Sequence, residues 1–176
     1  MRYEALTLAL VVTGVGQAVY DDLVDTPGGQ PDRFCPLVPG DIAWDACDCG
    51  LLAQTITSAF GSNNFPQPAA DSRQTRCGPN LTVAQVTLVL VRCVTTFEPN
   101  SDGTRPPTCA QLLADAVTLE YDRWTVRRAV SCYLGGLRDA TRIHDFAVGP
   151  VASVGPSGGC VGVQLTYQFA VGSVCC

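Results

Sequence analysis

The chain reads as an α+β protein: a mixed, mainly antiparallel sheet of about four to five strands with two long flanking helices. Three observations predict this. The segment from Val161 to Val171 alternates strictly, with Val161, Val163, Leu165, Tyr167, Phe169 and Val171 on one face and Gly162, Gln164, Thr166 and Gln168 on the other, which is the period-2 pattern of a half-buried strand. The segment from Cys109 to Leu134 repeats every seven residues at Leu112, Leu119, Val126 and Tyr133, with Ala116, Val130 and Leu137 in neighbouring positions, which is a helix with an apolar stripe. The order helix, three strands, helix, two strands is that of a sheet with helices packed against it. At 176 residues and 18.6 kDa, residues 1–176 suit a single domain with a sizeable core.

Element by element, a first helix is expected from Tyr3 to Val24, with Leu6, Leu10, Val19 and Leu23 on its buried face and Thr26-Pro27-Gly28-Gly29 ending it. Its start, Arg2 followed by Ala5 to Val12, resembles a short signal peptide. Glu4 stands where positive charge is wanted and no small-x-small site precedes Asp21, so an amphipathic helix is the reading. No run reaches the ~18 consecutive apolar residues of a bilayer span. A strand follows from Arg33 to Val38, and Pro36 places it at an edge or bulge. After an acidic, cysteine-bearing loop, a second strand covers Leu51 to Phe60. The stretch from Gly61 to Pro79 has no periodicity and is a long functional or mobile loop.

The third strand, Leu81 to Thr95, carries Val86, Leu88, Leu90 and Val94 on one face and Val83, Val89, Val91 and Cys93 on the other. Two apolar faces ask for two covers, one from the chain's own helices and the second from a partner subunit. A turn spans Glu98 to Gly103. Thr108 with Gln111 forms a capping box at the start of the second helix, and Gly135-Gly136 is expected to stop it. Beside its sheet-facing stripe, Leu113, Val117, Tyr121 and Trp124 form a second apolar stripe, which either lies under the first helix or contacts another subunit. The fourth strand is expected from Ile143 to Val148, and residues 155–159 form a flexible hairpin loop before the last strand.

The net charge of −5 and a pI near 4.6 argue against a nucleic-acid groove, which needs a surplus of basic side chains on one face. All eleven basic residues are arginine, which suits bidentate contacts at interfaces and equally reflects biased composition. Ten cysteines invite a disulfide framework, but the chain has Cys47-x-Cys49 and Cys175-Cys176 and no Cys-x-x-Cys knuckle. Buried thiols such as Cys93 and Cys132 are the expectation, with Cys47, Cys49, Cys160, Cys175 and Cys176 as the disulfide or thiol candidates.

Catalytic chemistry finds little support. Gly155-Pro156-Ser157-Gly158-Gly159 matches the Gly-x-Ser-x-Gly elbow, but a strand rather than a helix follows, and the only histidine, His144, precedes the serine. His144-Asp145 are adjacent in a strand and point to opposite faces. Asp41, Asp45 and Asp48 do not follow the ligand spacing of a calcium loop, and no phosphate-cradling glycine loop is present. No catalytic residue, metal or cofactor is expected. Asp21, Asp22 and Asp25 lie at the C-terminal end of the first helix, unfavourable for anions, so Arg127 and Arg128 are candidates to meet them.

The block Ala43-Trp44-Asp45-Ala46-Cys47-Asp48-Cys49-Gly50, the strand end Val91-Arg92-Cys93 and the loop from Val154 to Gly162 resemble the small head-tail joining proteins of siphophages that infect actinobacteria, most similar among them to tail terminators. The resemblance covers the chain from about Arg33 onward. It implies a hexameric ring that caps the tail tube in the virion after assembly in the host cytoplasm. The implied partners are copies of itself, the tail tube protein and a neck or stopper protein, with DNA only passing through the lumen and no membrane. The chain is longer and richer in cysteine than a minimal terminator. A neck or stopper protein is the nearest alternative, and a secreted disulfide-bonded protein a further one. On this reading the interface candidates are Leu113, Val117, Tyr121, Trp124, Arg127, Arg128, Asp41, Trp44, Asp45, Asp48, Pro156 and Ser157.

Overall fold

The structure, a computed structural model, describes residues 2–42, 50–69, 79–96, 98–100, 103–157 and 159–173. Helix α1 (Arg2–Asp22) runs into a 3-10 turn, Leu23–Asp25, and is followed by β1 (Arg33–Cys35), β2 (Leu51–Ser62) and β3 (Leu81–Cys93). Then come the short strands β4 (Glu98–Asn100) and β5 (Gly103–Arg105), helix α2 (Cys109–Asp139), β6 (Asp145–Ser157) and β7 (Cys160–Gly172). The main sheet has the order β1-β2-β3-β7-β6. Every neighbouring pair is antiparallel except β1 with β2, which is parallel. The α+β class and the mixed, mainly antiparallel five-stranded sheet therefore agree with the sequence reading.

The core lies between one sheet face and the two helices. Alternation supplies the sheet side: Val86, Leu88 and Leu90 of β3 and Val163, Leu165, Tyr167 and Phe169 of β7 are buried there. From α1 come Leu8, Val11, Val12, Val15 and Val19, from the 3-10 turn after it Leu23, and from α2 Val126, Ala129, Val130 and Leu134. This corrects the expected face of α1, because Leu6 and Leu10 are 59% and 62% exposed. The helix is apolar nearly all round, so the stripe through Leu8, Val12, Val15 and Val19, at helical spacing, took the inward side instead. On length and mean hydropathy, 1.2, the segment Leu6–Asp25 could cross a bilayer, but here its inner face fills the core.

Four other expectations are corrected. β1 is only three residues long and lies at the sheet edge, as Pro36 requires. Residues 98–105 contain a small hairpin, β4 with β5, in place of a plain turn. Gly135-Gly136 does not stop α2, which continues to Asp139 because Leu134 and Leu137 still face the core. It ends instead where Thr141 adopts φ 54° and Arg142 N–H caps the Leu137 carbonyl. Finally, β6 continues to Ser157, nine residues beyond Val148, through two register shifts at Val148/Val151 and Val154/Ser157. Bulges absorbed Gly149-Pro150 and Gly155-Pro156, so residues that read as loop joined the strand.

The second sheet face is also covered differently from expectation. Val89 and Val91 sit with Leu51, Ala53 and Cys160 under Cys35, Val38 and Ile42, while Val83 sits with Leu81 and Ala170 under Phe60 and Phe65. Residues of the chain's own edge strands and loops thus cover both ends of that face. Between them lies a polar centre, where Thr55, Thr87 and Thr166 fall in one row across β2, β3 and β7 and Gln168 donates to Gln85 at 3.0 Å.

Candidate functional site

Helix α2 is buried along its second half, while its first half touches the rest of the molecule through Leu119, which packs against the core, and Asp115, whose carboxylate accepts from the Thr95 N–H at 2.9 Å. Its capping box forms as read: the Thr108 and Gln111 backbone N–H groups each bond the other's side-chain oxygen, at 2.8 and 3.3 Å. Buried residues start only at Asp122. An outward stripe therefore runs along the first half and just past Asp122, with Leu112, Leu113, Val117, Tyr121 and Trp124 exposed at 51%, 65%, 44%, 52% and 68%. Leu112 was expected to pack on the sheet and does not. α1 does not cover the second stripe either, so the reading that places Leu113, Val117, Tyr121 and Trp124 beneath it is set aside.

A buried ion pair fixes this helix in register. Arg92, near the end of β3, donates to both carboxylate oxygens of Asp122 at 2.8 Å and to the Gly28 and Gly29 carbonyls at 2.9 and 2.8 Å. The fork of the guanidinium matches the carboxylate in a bidentate pair, and the remaining donors hold the turn after α1. Asp122 sits between Tyr121 and Arg123, so the pair sets which side chains α2 turns outward. A second buried network joins α1 to the sheet. Tyr167 Oη donates to Gln54 Oε1 at 2.8 Å, while Gln54 Nε2 donates to the Val12 and Pro36 carbonyls at 3.0 and 3.1 Å. Burial first, and the neighbouring Tyr133 second, raise the Tyr167 phenol well above its usual range.

Where α2 overhangs the edge strand β6, Glu120, Arg123, Trp124, Arg127, Pro150 and Val151 line a groove of about 310 Å³. Arg123 is held there by Glu120 at 3.3 Å and by the Ser153 hydroxyl at 2.5 Å. Arg128 pairs with Asp22 at 3.1 Å, one of the two partnerships anticipated from the charge pattern. Arg127 makes no ion pair among the described residues.

The remaining candidates are scattered. Asp41 is exposed and borders grooves against Thr55, Thr57, Thr87 and Gln164 and against Arg33 and Cys35. Trp44, Asp45, Cys47, Asp48, Cys49, Cys175 and Cys176 lie outside the described residues. Pro156 is exposed, after a cis bond from Gly155. His144, whose backbone N–H bonds the Ala170 carbonyl, precedes β6 and Ser157 ends it. Thirteen extended residues separate them by about 40 Å, so the two do not form a catalytic pair. Among the described residues no group of three or more His, Cys, Asp or Glu is placed to hold a metal ion. The cysteines depart from the expectation of buried thiols. Cys160 is disulfide-bonded, Cys93 and Cys132 are exposed, and Cys109 is an exposed thiol, because Cys93 ends its strand and Cys109 and Cys132 face away from the core.

Sequence reasoning named the second stripe and Arg128 but missed the Arg92–Asp122 anchor. The signal for the anchor was a lone Asp on the apolar side of a helix and a lone Arg in an apolar strand. The chain matches no protein-family model and no curated protein.

Proposed function

We propose that this chain is a structural virion protein whose copies assemble into a ring, probed first as a hexamer, at the head-proximal end of a siphophage tail. There it ends growth of the tail tube and joins the tail to the neck. The observation that carries this reading is the exposed stripe of α2, with Leu113, Val117, Tyr121 and Trp124 outside a core that is otherwise sealed. A contiguous apolar row on a rigid, anchored helix is a surface that another protein copy covers. The uncharged centre of the outer sheet face, Thr55, Gln85, Thr87, Gln164 and Thr166, and the net charge of −5 suit a wall that does not hold passing DNA. The element order supports the terminator-like role over the neck or stopper role, which shares the same surface logic.

Solution mass by sedimentation, followed by electron microscopy of the particle alone and with tail tubes, tests the reading. A ring capping tubes of uniform length is expected. A chain that stays monomeric and leaves tube length uncontrolled would overturn it. One observation favours a second reading, a secreted protein in an oxidising medium: the disulfide at Cys160. Intact mass before and after reduction and alkylation of protein taken from virions separates the two. An oxidised Cys160 on a chain secreted free of particles favours the second.

A further inference from the structure

We propose that copies of this chain meet through the outer C-terminal end of α1 on one molecule and the Trp124–Arg127 corner of α2 on the next, with Asp21 and Asp25 against Arg127 and Val24 against Trp124. The proposal rests on the self-assembly reading and names its mating surfaces.

Both halves are unusual as free surface. Asp21 and Asp25 are exposed at the C-terminal end of α1, where the carbonyl ends of the helix already concentrate negative charge. No Lys or Arg stands in that last turn. Among the described residues the cation that meets this end is Arg128, and it is spent on Asp22. Among the described residues Asp21 accepts from Gln17 alone, at 2.8 Å, and Asp25 has no ion pair. Val24, between the two acids, is 58% exposed. The α2 corner is the converse. Arg127 is exposed and makes no ion pair among the described residues, and Trp124, three residues earlier on the same side of the helix, is 68% exposed above the groove that Pro150 and Val151 line. One patch is an aliphatic side chain flanked by two carboxylates, and the other an indole beside a guanidinium. They match in charge and apolar character, and the guanidinium can engage carboxylates bidentately. The occupant argued here is therefore a second copy rather than an unrelated ligand.

Charge reversal and mixing test this without disturbing the core, since every residue changed is exposed. Arg127→Glu alone, and Asp21→Arg with Asp25→Arg alone, are each expected to lower the assembled mass to that of the monomer at low salt. An equimolar mixture of the two variants restores every contact with the signs exchanged or native, and is expected to recover the wild-type mass. Assembly of either variant alone as in the wild type, or failure of the mixture to recover mass, overturns the pairing. Trp124→Ser is the control. If it abolishes assembly while the charge reversals do nothing, the ring reading stands and this pairing falls. If the wild type itself is monomeric with and without tail tubes, both fall.

Discussion

Two buried polar residues decide how the molecule holds its shape, and neither was singled out in the sequence for that role. Arg92 and Asp122 are almost wholly desolvated, so each is tolerable only because the other is there. Losing one partner of such a pair costs about 3–5 kcal/mol, through the charge left behind. Tyr167 and Gln54 form the neutral counterpart. The Tyr167 phenol is raised by burial and then by Tyr133, so its folded-state pKa exceeds the unfolded value of about 10. A raised pKa of this kind confers stability that is complete below the unfolded value and is lost as pH rises through the folded one. Urea midpoints measured from about pH 8 to about pH 11 should therefore fall at the alkaline end. In Tyr167→Phe the midpoint should start lower, because Gln54 Oε1 loses its donor at a cost of about 1–3 kcal/mol, and the alkaline fall should be shallower. An unchanged alkaline slope in the variant would mean that Tyr167 is not the group responsible.

At the scale of elements, periodicity was legible wherever one face alone is buried. β7 alternates because the helices cover one side and the polar Gln and Thr row the other, and α2 repeats because its second half rides on the sheet. Glycine and proline punctuation was less reliable. Gly149-Pro150 and Gly155-Pro156 signal loops, yet pairing along β7 carried β6 through both as bulges. Gly135-Gly136 signals a helix end, yet the apolar contacts of Leu134 and Leu137 outweigh the local preference for a stop. The register of α1 was illegible for a related reason: where nearly every position is apolar, the pattern does not say which stripe turns inward. Of the candidate site, the α2 stripe was legible as excess apolar surface on an amphipathic helix, while Trp44 and the acidic candidates Asp45 and Asp48 lie outside the described residues. The glycine pair gives a direct test. A methyl group at Gly136 meets nothing within 4 Å, and mid-helix glycine costs about 0.5–1 kcal/mol relative to alanine. Gly136→Ala should therefore raise stability by about that amount in thermal or urea unfolding, and a loss would mean that the helix end is strained where it looks open.

For the whole molecule, the surface proposed for assembly lies outside the core that folds the chain, so the two are expected to be separable by mutation. The core between sheet and helices, with the two satellite clusters on the outer face, is complete within one chain. The stripe on α2 adds nothing to it. Fully burying a large apolar side chain is worth about 1.5–3 kcal/mol, and the stripe residues are already about half covered, so covering the rest gives roughly 5 kcal/mol. Association costs about 4–15 kcal/mol in lost freedom. The stripe alone therefore sits near balance, and a stable ring needs polar pairing or repetition around a closed set of contacts beside it. Val117→Glu with Trp124→Ser should thus leave the urea midpoint of the isolated chain within about 0.5 kcal/mol of the wild type, as surface changes do. The same double variant should abolish the assembled mass and leave tails of irregular length. A double variant that unfolds more readily would place the stripe in the fold, and one that still assembles would move the interface to another face of the molecule.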